Sequence, residues 1–186
     1  GGISGDPRGI EGDSLSSDNL ATPRTDAKVS NFTIISGGDS NADTGVVLRR
    51  GMRGTIANGI VLGWPDAGID VDSQATINAF NNGTLKIGSI FLSGNGDDLE
   101  NDGEDVTFTA ANNMVTGQTV TMGGFTFRTG RPGVVPGANE QAVTPFTFGP
   151  GDDLLEATTY IGAVEDADDT WYLGWSVDQA GNLTSN

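Results

Sequence analysis

Cysteine and histidine are both absent from this chain of 186 residues, and each absence excludes a class of chemistry. Without cysteine the chain forms no disulfides and no thiolate metal sites. Without histidine it lacks the usual general base and the commonest transition-metal ligand. Most familiar active sites therefore cannot be built from this sequence.

Basic residues and long apolar runs are also scarce. The 9 lysines and arginines are outnumbered by 25 acidic residues, which gives a formal net charge of -16. This charge repels the phosphates of nucleic acids, so we expect no nucleic acid partner. Apolar runs such as residues 60–62 are far shorter than the roughly 20 residues that cross a bilayer, so we expect no membrane span.

Glycine, in contrast, is abundant. The 29 glycines, together with many Asn, Asp, Thr and Ser residues, predict numerous tight turns between short strands. The composition therefore indicates an all-β protein without long helices.

One strand pattern recurs along the chain. The sequence VSNFTII at residues 29–35 is echoed by IANGIVL at residues 56–62, which lies 27 residues further on. A weaker third copy, IGSIFL at residues 87–92, follows after 30 or 31 residues.

A second strand pattern recurs beside the first. DTGVVLR at residues 43–49 matches DAGIDVD at residues 66–72 after 23 residues, and RGIEGD at residues 8–13 resembles both. Two patterns in constant order, with Gly and Asp between them, are typical of a right-handed parallel β-helix, which is a solenoid. The alternative is an antiparallel sandwich in which the matches arise by chance.

Strand alternation predicts a register for the second pattern. The inward-facing rows are expected to be Ile10, Val46, Ile69 and Gly12, Leu48, Val71. The outward-facing row between them is expected to be Glu11, Val47, Asp70. The next outward row places Arg49 between Asp13 and Asp72 on neighbouring rungs, where it relieves the repulsion of stacked carboxylates.

The repeats also suggest how the chain is organised. We predict parallel β-helix rungs over residues 1–105, irregular strands and a connecting loop over residues 106–145, and a carboxy-terminal capping β unit over residues 146–186. Within the first part, the acidic residues 97–105 are expected to form an exposed loop.

The carboxy-terminal unit carries the pattern of a β-hairpin. Residues 159–164 and 170–177 are strand-like and flank an acidic turn. We expect this hairpin to cover the open end of the solenoid, because an uncapped rung exposes backbone groups and apolar side chains. Sugar binding by its aromatic residues is the alternative interpretation.

Several stretches together resemble a family of exported bacterial β-helix repeat proteins, often of unknown function. The stretches are RGIEGD at 8–13, TPR at 22–24, VVLRRG at 46–51, TIAN at 55–58, YIGA at 160–163 and WYLGW at 171–175. The resemblance implies an extracellular or bacterial outer-surface location, and it supplies no catalytic residues. If the coil begins at Gly1, its first rung presents an open edge to another subunit.

Calcium is the candidate ion, because the turn containing Asp39, Asn41 and Asp43 is rich in the hard oxygen ligands that calcium prefers. The turn does not match the full EF-hand spacing or the tandem nonapeptides of a calcium-binding β-roll. The alternative is a solvated acidic turn.

Some parallel β-helices cleave acidic polysaccharides with a basic residue, and Arg49, Arg50 and Arg53 invite that comparison. Alternation separates Arg49 from Arg50 across the sheet, so an ion-pair role is favoured and no catalytic residue is assigned.

We therefore expect an extracellular or cell-surface structural or adhesive β-solenoid that self-assembles into filaments through its ends. The alternative is a carbohydrate-binding or polysaccharide-lyase-like β-helix with an aromatic or Arg-lined groove.

Overall fold

The computed structural model describes residues 7–100 and 106–184, in which the chain forms mostly strands and turns. The strands are β1 (Ile10–Gly12), β2 (Asp26–Ile35), β3 (Val46–Leu48), β4 (Arg53–Leu62), β5 (Ala67–Val71), β6 (Leu85–Ser93), β7 (Asp97–Leu99) and β8 (Met114–Val115). The helices are α1 (Gln74–Asn81), α2 (Ala138–Gln141) and a single 3-10 turn at Ala110–Asn112. No helix within these ranges is long and apolar enough to cross a membrane.

The strands of the described ranges pair in parallel and form two four-stranded sheets. Sheet 1 has the order β1-β3-β5-β7 and sheet 2 has the order β2-β4-β6-β8. Each successive pass of the chain, which we call a rung, adds one strand to each sheet. This order confirms a parallel β-helix arrangement, and the antiparallel sandwich is wrong.

The registers follow the sequence repeats. In sheet 1, Val46 pairs with Ile10 on one side and with Ile69 on the other, as predicted. In sheet 2, Ile56 pairs with Ile87, so the weaker third copy lies 31 residues after the second. The recurring strand patterns therefore mark neighbouring strands of each sheet.

The inward-facing side chains form one apolar core between the sheets. Its most deeply buried members are Val46, Leu48, Ile56, Val61, Ile90 and Leu92. The first rung is less well covered, because Phe32 and Ile34 are only half-buried. Val47, which was predicted to face outward, is buried although it lies outside this core cluster.

A row of left-handed residues bends sheet 2. Asn31, Asn58 and Ser89 occupy equivalent positions on successive strands and have φ angles of 54°, 55° and 55°. Asparagine adopts this conformation more readily than most residues. The bend shifts the in-and-out alternation by one residue, so Ile56 and Val61 both face the core although they are five positions apart in the sequence.

Beyond the bend, the outward-facing side chains of sheet 2 are apolar as well. Ile60 and Phe91 form a second buried cluster with Val143 and Ile161. Residues 116–184, which we call the carboxy-terminal segment, therefore contribute to a second core on the outer face of sheet 2.

The predicted hairpin over residues 159–164 and 170–177 is wrong, because the two stretches do not pair with each other. Both form turns and irregular structure, apart from an isolated antiparallel bridge between Val177 and Leu183. Backbone N–H groups of residues 159–164 donate hydrogen bonds to sheet 2 instead of to a hairpin partner. Gly162 N donates to Asn58 O at 2.8 Å. These contacts lie on the outer side of sheet 2, whereas the hairpin was expected to cover an end of the coil.

The acidic stretch after β6 also differs from expectation. Asp97–Leu99 forms β7 and pairs with β5, so its first residues are a strand and not a loop, while residues 101–105 lie outside the described residues. The short strand β8 pairs with β6 and lies within residues 106–145, for which irregular strands and a connecting loop were predicted.

Candidate functional site

The bend of sheet 2 holds the carboxy-terminal segment through asparagine side chains. Asn58 is fully buried, and its Oδ1 accepts a hydrogen bond from Phe146 N at 2.7 Å. Asn31 Nδ2 donates to Tyr160 O at 3.0 Å. Because an asparagine side chain both donates and accepts, it satisfies backbone groups of the segment that a sheet ladder leaves unpaired.

A buried carboxylate makes a further connection between the segment and sheet 2. Asp152 accepts hydrogen bonds from Lys86 Nζ at 2.6 Å, from the Thr55 hydroxyl and from Gly149 N at 3.3 Å. Burial opposes its ionisation, but the hydrogen bonds from Lys86 and Thr55 outweigh that effect and hold the pKa of Asp152 below its ordinary value. Asp152 is therefore a charged anchor for the segment.

Sheet 2 and the anchored segment together line an apolar pocket of about 320 Å³. Sheet 2 contributes Thr33 and Ile35 of β2. The segment contributes Phe127, Val134, Ala163, Val164, Trp171, Tyr172, Trp175 and Ser176. A concave, mostly apolar surface with a few polar groups is the usual character of a small-ligand site.

Two tryptophans of this pocket are exposed. Trp171 is 50% exposed and Trp175 is 63% exposed, and their ring centroids lie 5.2 Å apart at an interplanar angle of 37°. Trp171 Nε1 donates to Ala163 O at 2.7 Å, and Trp175 Nε1 donates to Trp171 O. The indole N–H groups are therefore used within the protein, while much of the ring surface remains open to a ligand.

Buried aromatic residues support the exposed pair. Tyr172 is buried and packs at right angles to Trp171, with ring centroids 6.2 Å apart. It also contacts Phe125 and Phe127, at centroid distances of 6.3 and 6.1 Å. Such packing limits the motion of the rings, so the site is preformed.

The outward ion-pair row of sheet 1 centres on Arg49. Its Nε donates to Asp13 Oδ1 at 2.9 Å, and its Nη2 pairs with Glu11. Burial disfavours the charged guanidinium, but Asp13 and Glu11 outweigh it and raise the pKa of Arg49. Asp72 lines the same polar pocket as Arg49. Within the described residues, however, the ion pairs of Arg49 go to Asp13 and Glu11, because the Arg49 side chain extends toward the preceding rung.

The structure gives the candidate calcium ligands different partners. Asp39 Oδ1 accepts a hydrogen bond from Asn41 N at 3.0 Å, whereas Asp43 Oδ2 forms an ion pair with Arg8 at 2.7 Å. No group of three or more acidic side chains in residues 7–100 and 106–184 is arranged to hold a metal ion. Calcium binding at this turn stays a prediction.

The other two arginines of the lyase comparison are also in ion pairs. Arg50 Nη1 lies 2.5 Å from Asp13 Oδ2, and Arg53 Nη2 lies 3.9 Å from Asp26 Oδ2.

Two parallel sheets that gain one strand each per rung define a parallel β-helix protein. Residues 3–129 match the family model of the pectate-lyase-like β-helix domain, which is more than half of the chain, and the chain belongs to this family. No curated protein and no solved structure matches the chain. The exposed tryptophans lie beyond the residues that the family model matches.

The pocket combines residues that sequence reasoning treated separately. The WYLGW stretch at residues 171–175 was assigned to an end cap, with sugar binding as the alternative, and Phe127 was not singled out. The WYLGW stretch and Phe127 both lie far from β2 in the sequence, so the sequence gave no indication that they meet β2. Only the packing of the segment on sheet 2 brings them together.

Proposed function

We propose that this chain is an extracellular, non-catalytic β-solenoid that binds carbohydrate in the pocket lined by Trp171 and Trp175 and thereby serves in adhesion. The observation that carries the proposal is the pair of half-exposed, fixed indole rings over an apolar pocket. A sugar ring presents an apolar C–H face that stacks on an aromatic surface, while its hydroxyls remain at the edge in water. Without a ligand, an exposed apolar surface of this kind is unfavourably solvated, which favours its use as a binding site.

The pocket also offers a polar contact at its wall. The Thr33 Oγ1 accepts a hydrogen bond from Ala163 N at 3.0 Å, and its own proton has no acceptor among the described residues. A hydroxyl that has one free donor suits a sugar hydroxyl, which is itself both donor and acceptor.

In this proposal the β-helix is a closed solenoid that acts as a stiff support, and the carboxy-terminal segment is a lateral cover that carries the binding site. Support for a non-catalytic role comes from Arg49, Arg50 and Arg53, which are held in ion pairs. Incubation with uronate polymers is expected to yield no unsaturated products; their appearance would show that the chain is a lyase.

The proposal is tested by affinity electrophoresis through gels that contain soluble polysaccharides, after a screen on a glycan array. Trp171→Ala and Trp175→Ala are expected to weaken binding at least about tenfold each, because aromatic contacts that become buried on binding dominate recognition. Leu154→Ala is the matched control, since Leu154 is apolar and 85% exposed but does not line the pocket. The proposal would be refuted if the polysaccharide retarded all three variants as strongly as the intact chain while each variant kept the circular dichroism spectrum of the intact chain.

Self-association through the first rung is a second candidate. The inward side chains Ile10, Phe32 and Ile34 are only half-buried, and Leu15 and Leu20 nearby in the chain are 55% and 65% exposed. An apolar edge that the described residues leave incompletely covered can pack on a second copy. Sedimentation velocity with electron microscopy is expected to show concentration-dependent filaments, and a monomer at all concentrations excludes this candidate.

A further inference from the structure

Two arginines differ from the other basic residues of the chain. Within the described ranges, the guanidinium groups of Arg128 and Arg131 have no carboxylate within ion-pair distance and no hydrogen-bond acceptor. Carboxylate partners hold the basic side chains of Arg8, Lys28, Arg49, Arg50, Arg53 and Lys86. In a chain with 25 acidic and 9 basic residues, two neighbouring unpaired cations are unexpected.

Glycines at the end of β2 make room for these two side chains. A Cβ at Gly37 would collide with the guanidinium of Arg128, and a Cβ at Gly38 would collide with that of Arg131. Both arginines therefore approach bare backbone just after β2, and both line the same small cavity. The turn that carries the arginines is closed by a hydrogen bond from Arg131 N to Arg128 O at 3.1 Å.

A small cavity of about 70 Å³ lies at the arginines and adjoins the tryptophan pocket. Its lining includes Arg128 and Arg131 and shares three residues with that pocket, namely Ile35, Phe127 and Val134. Measured in the same way, the tryptophan pocket has about 320 Å³, so this cavity is much the smaller of the two. It is therefore placed to take a substituent of a ligand whose main body lies in the tryptophan pocket.

We propose that Arg128 and Arg131 form an oxyanion subsite of the carbohydrate site, and that the ligand is a glycan with a carboxylate or sulfate group. This inference rests on the proposed function. Each guanidinium presents a planar fork of donors that matches an oxyanion in two hydrogen bonds, so a pair of them binds one such group strongly. The net charge of -16 repels densely charged polymers, which favours a glycan in which the charged sugar is spaced by neutral ones.

A glycan array printed with neutral, carboxylated and sulfated forms of the same oligosaccharides tests the subsite. The intact chain is expected to bind a charged form at least about tenfold more tightly than its neutral parent. Arg128→Gln and Arg131→Gln are each expected to remove this preference, measured as the ratio of charged to neutral binding within the same variant. A stronger signal for the carboxylated or for the sulfated form identifies the source of the oxyanion.

Arg53→Gln is the matched control, because it removes one positive charge from a guanidinium whose nearest carboxylate is 3.9 Å away. It is expected to keep the preference. An intact chain that binds neutral and charged forms equally overturns the subsite and leaves the proposed function standing. Failure to bind any form refutes both, and a preference that survives in both arginine variants also overturns the subsite.

Discussion

Replacing Asp152 by alanine removes the charged anchor between the carboxy-terminal segment and sheet 2. The side chain of Asp152 is fully buried and receives hydrogen bonds from Lys86, Thr55 and Gly149. We expect the substitution to destabilise the attachment of the segment more than it destabilises the rungs. The reason is that Lys86 and Thr55 belong to sheet 2, whereas Asp152 and Gly149 belong to the segment.

The magnitude follows from the bonds that are lost. A hydrogen bond to a charged group contributes about 1.5–3 kcal/mol, and breaking a buried pair costs about 3–5 kcal/mol. The Lys86 side chain is 31% exposed, so water compensates part of its loss, whereas Thr55 is completely buried. We therefore expect Asp152→Ala to lower the free energy of unfolding by about 3 kcal/mol.

The assay is urea unfolding combined with hydrogen exchange measured by mass spectrometry. Exchange is expected to accelerate in residues 143–164 while β4 and β6 remain protected. Asp153→Ala is the control, because Asp153 is the exposed neighbour of the anchor. A loss below about 0.5 kcal/mol, or equal acceleration in the rungs and the segment, would refute the anchoring role.

The remaining predictions concern pH, the bend and calcium. The depressed pKa of Asp152 contributes stability that is present above the ordinary aspartate pKa of about 3.9 and is lost as the pH falls through the lower folded-state value. In acid titrations followed by circular dichroism, the Asp152→Asn variant should therefore lose less stability than the intact chain. Asn58→Ala should cost about 1 kcal/mol more than Asn58→Gly in urea unfolding, because both lose the bond to Phe146 N but glycine retains the left-handed φ of 55°. Any rise in melting temperature that calcium causes should disappear when Asp39 and Asp43 are both changed to Asn, and a persistent rise in calorimetry excludes that turn as the site.

The rung register could be predicted from the sequence because it depends on local patterns. The alternation around Val46 and Ile69, with Gly and Asp before each, repeats closely enough to fix the pairing in sheet 1. The bend of sheet 2 also left a signal that the alternation argument overlooked. Asn31 and Asn58 recur at the same position of the repeat, and an asparagine within a strand pattern indicates a left-handed residue.

The carboxy-terminal segment could not be predicted in the same way, because its contacts are distant in sequence. The glycine and aromatic pattern around Gly162 favours a hairpin locally, yet Gly162 N bonds to Asn58 of sheet 2. The role of Asp152 likewise depends on Lys86 and Thr55, which lie on other strands. Nothing in its own neighbourhood distinguishes it from Asp153.

Binding at the tryptophan pocket is measured most directly by fluorescence titration with an oligosaccharide selected from the array. The chain has 3 tryptophans, and Trp64 is buried in the core, so Trp64→Phe leaves emission from Trp171 and Trp175 alone. In that variant the oligosaccharide is expected to change the emission in a saturable manner and to protect both rings from acrylamide quenching. Binding detected by calorimetry without any change in emission or quenching would place the ligand elsewhere and contradict the account.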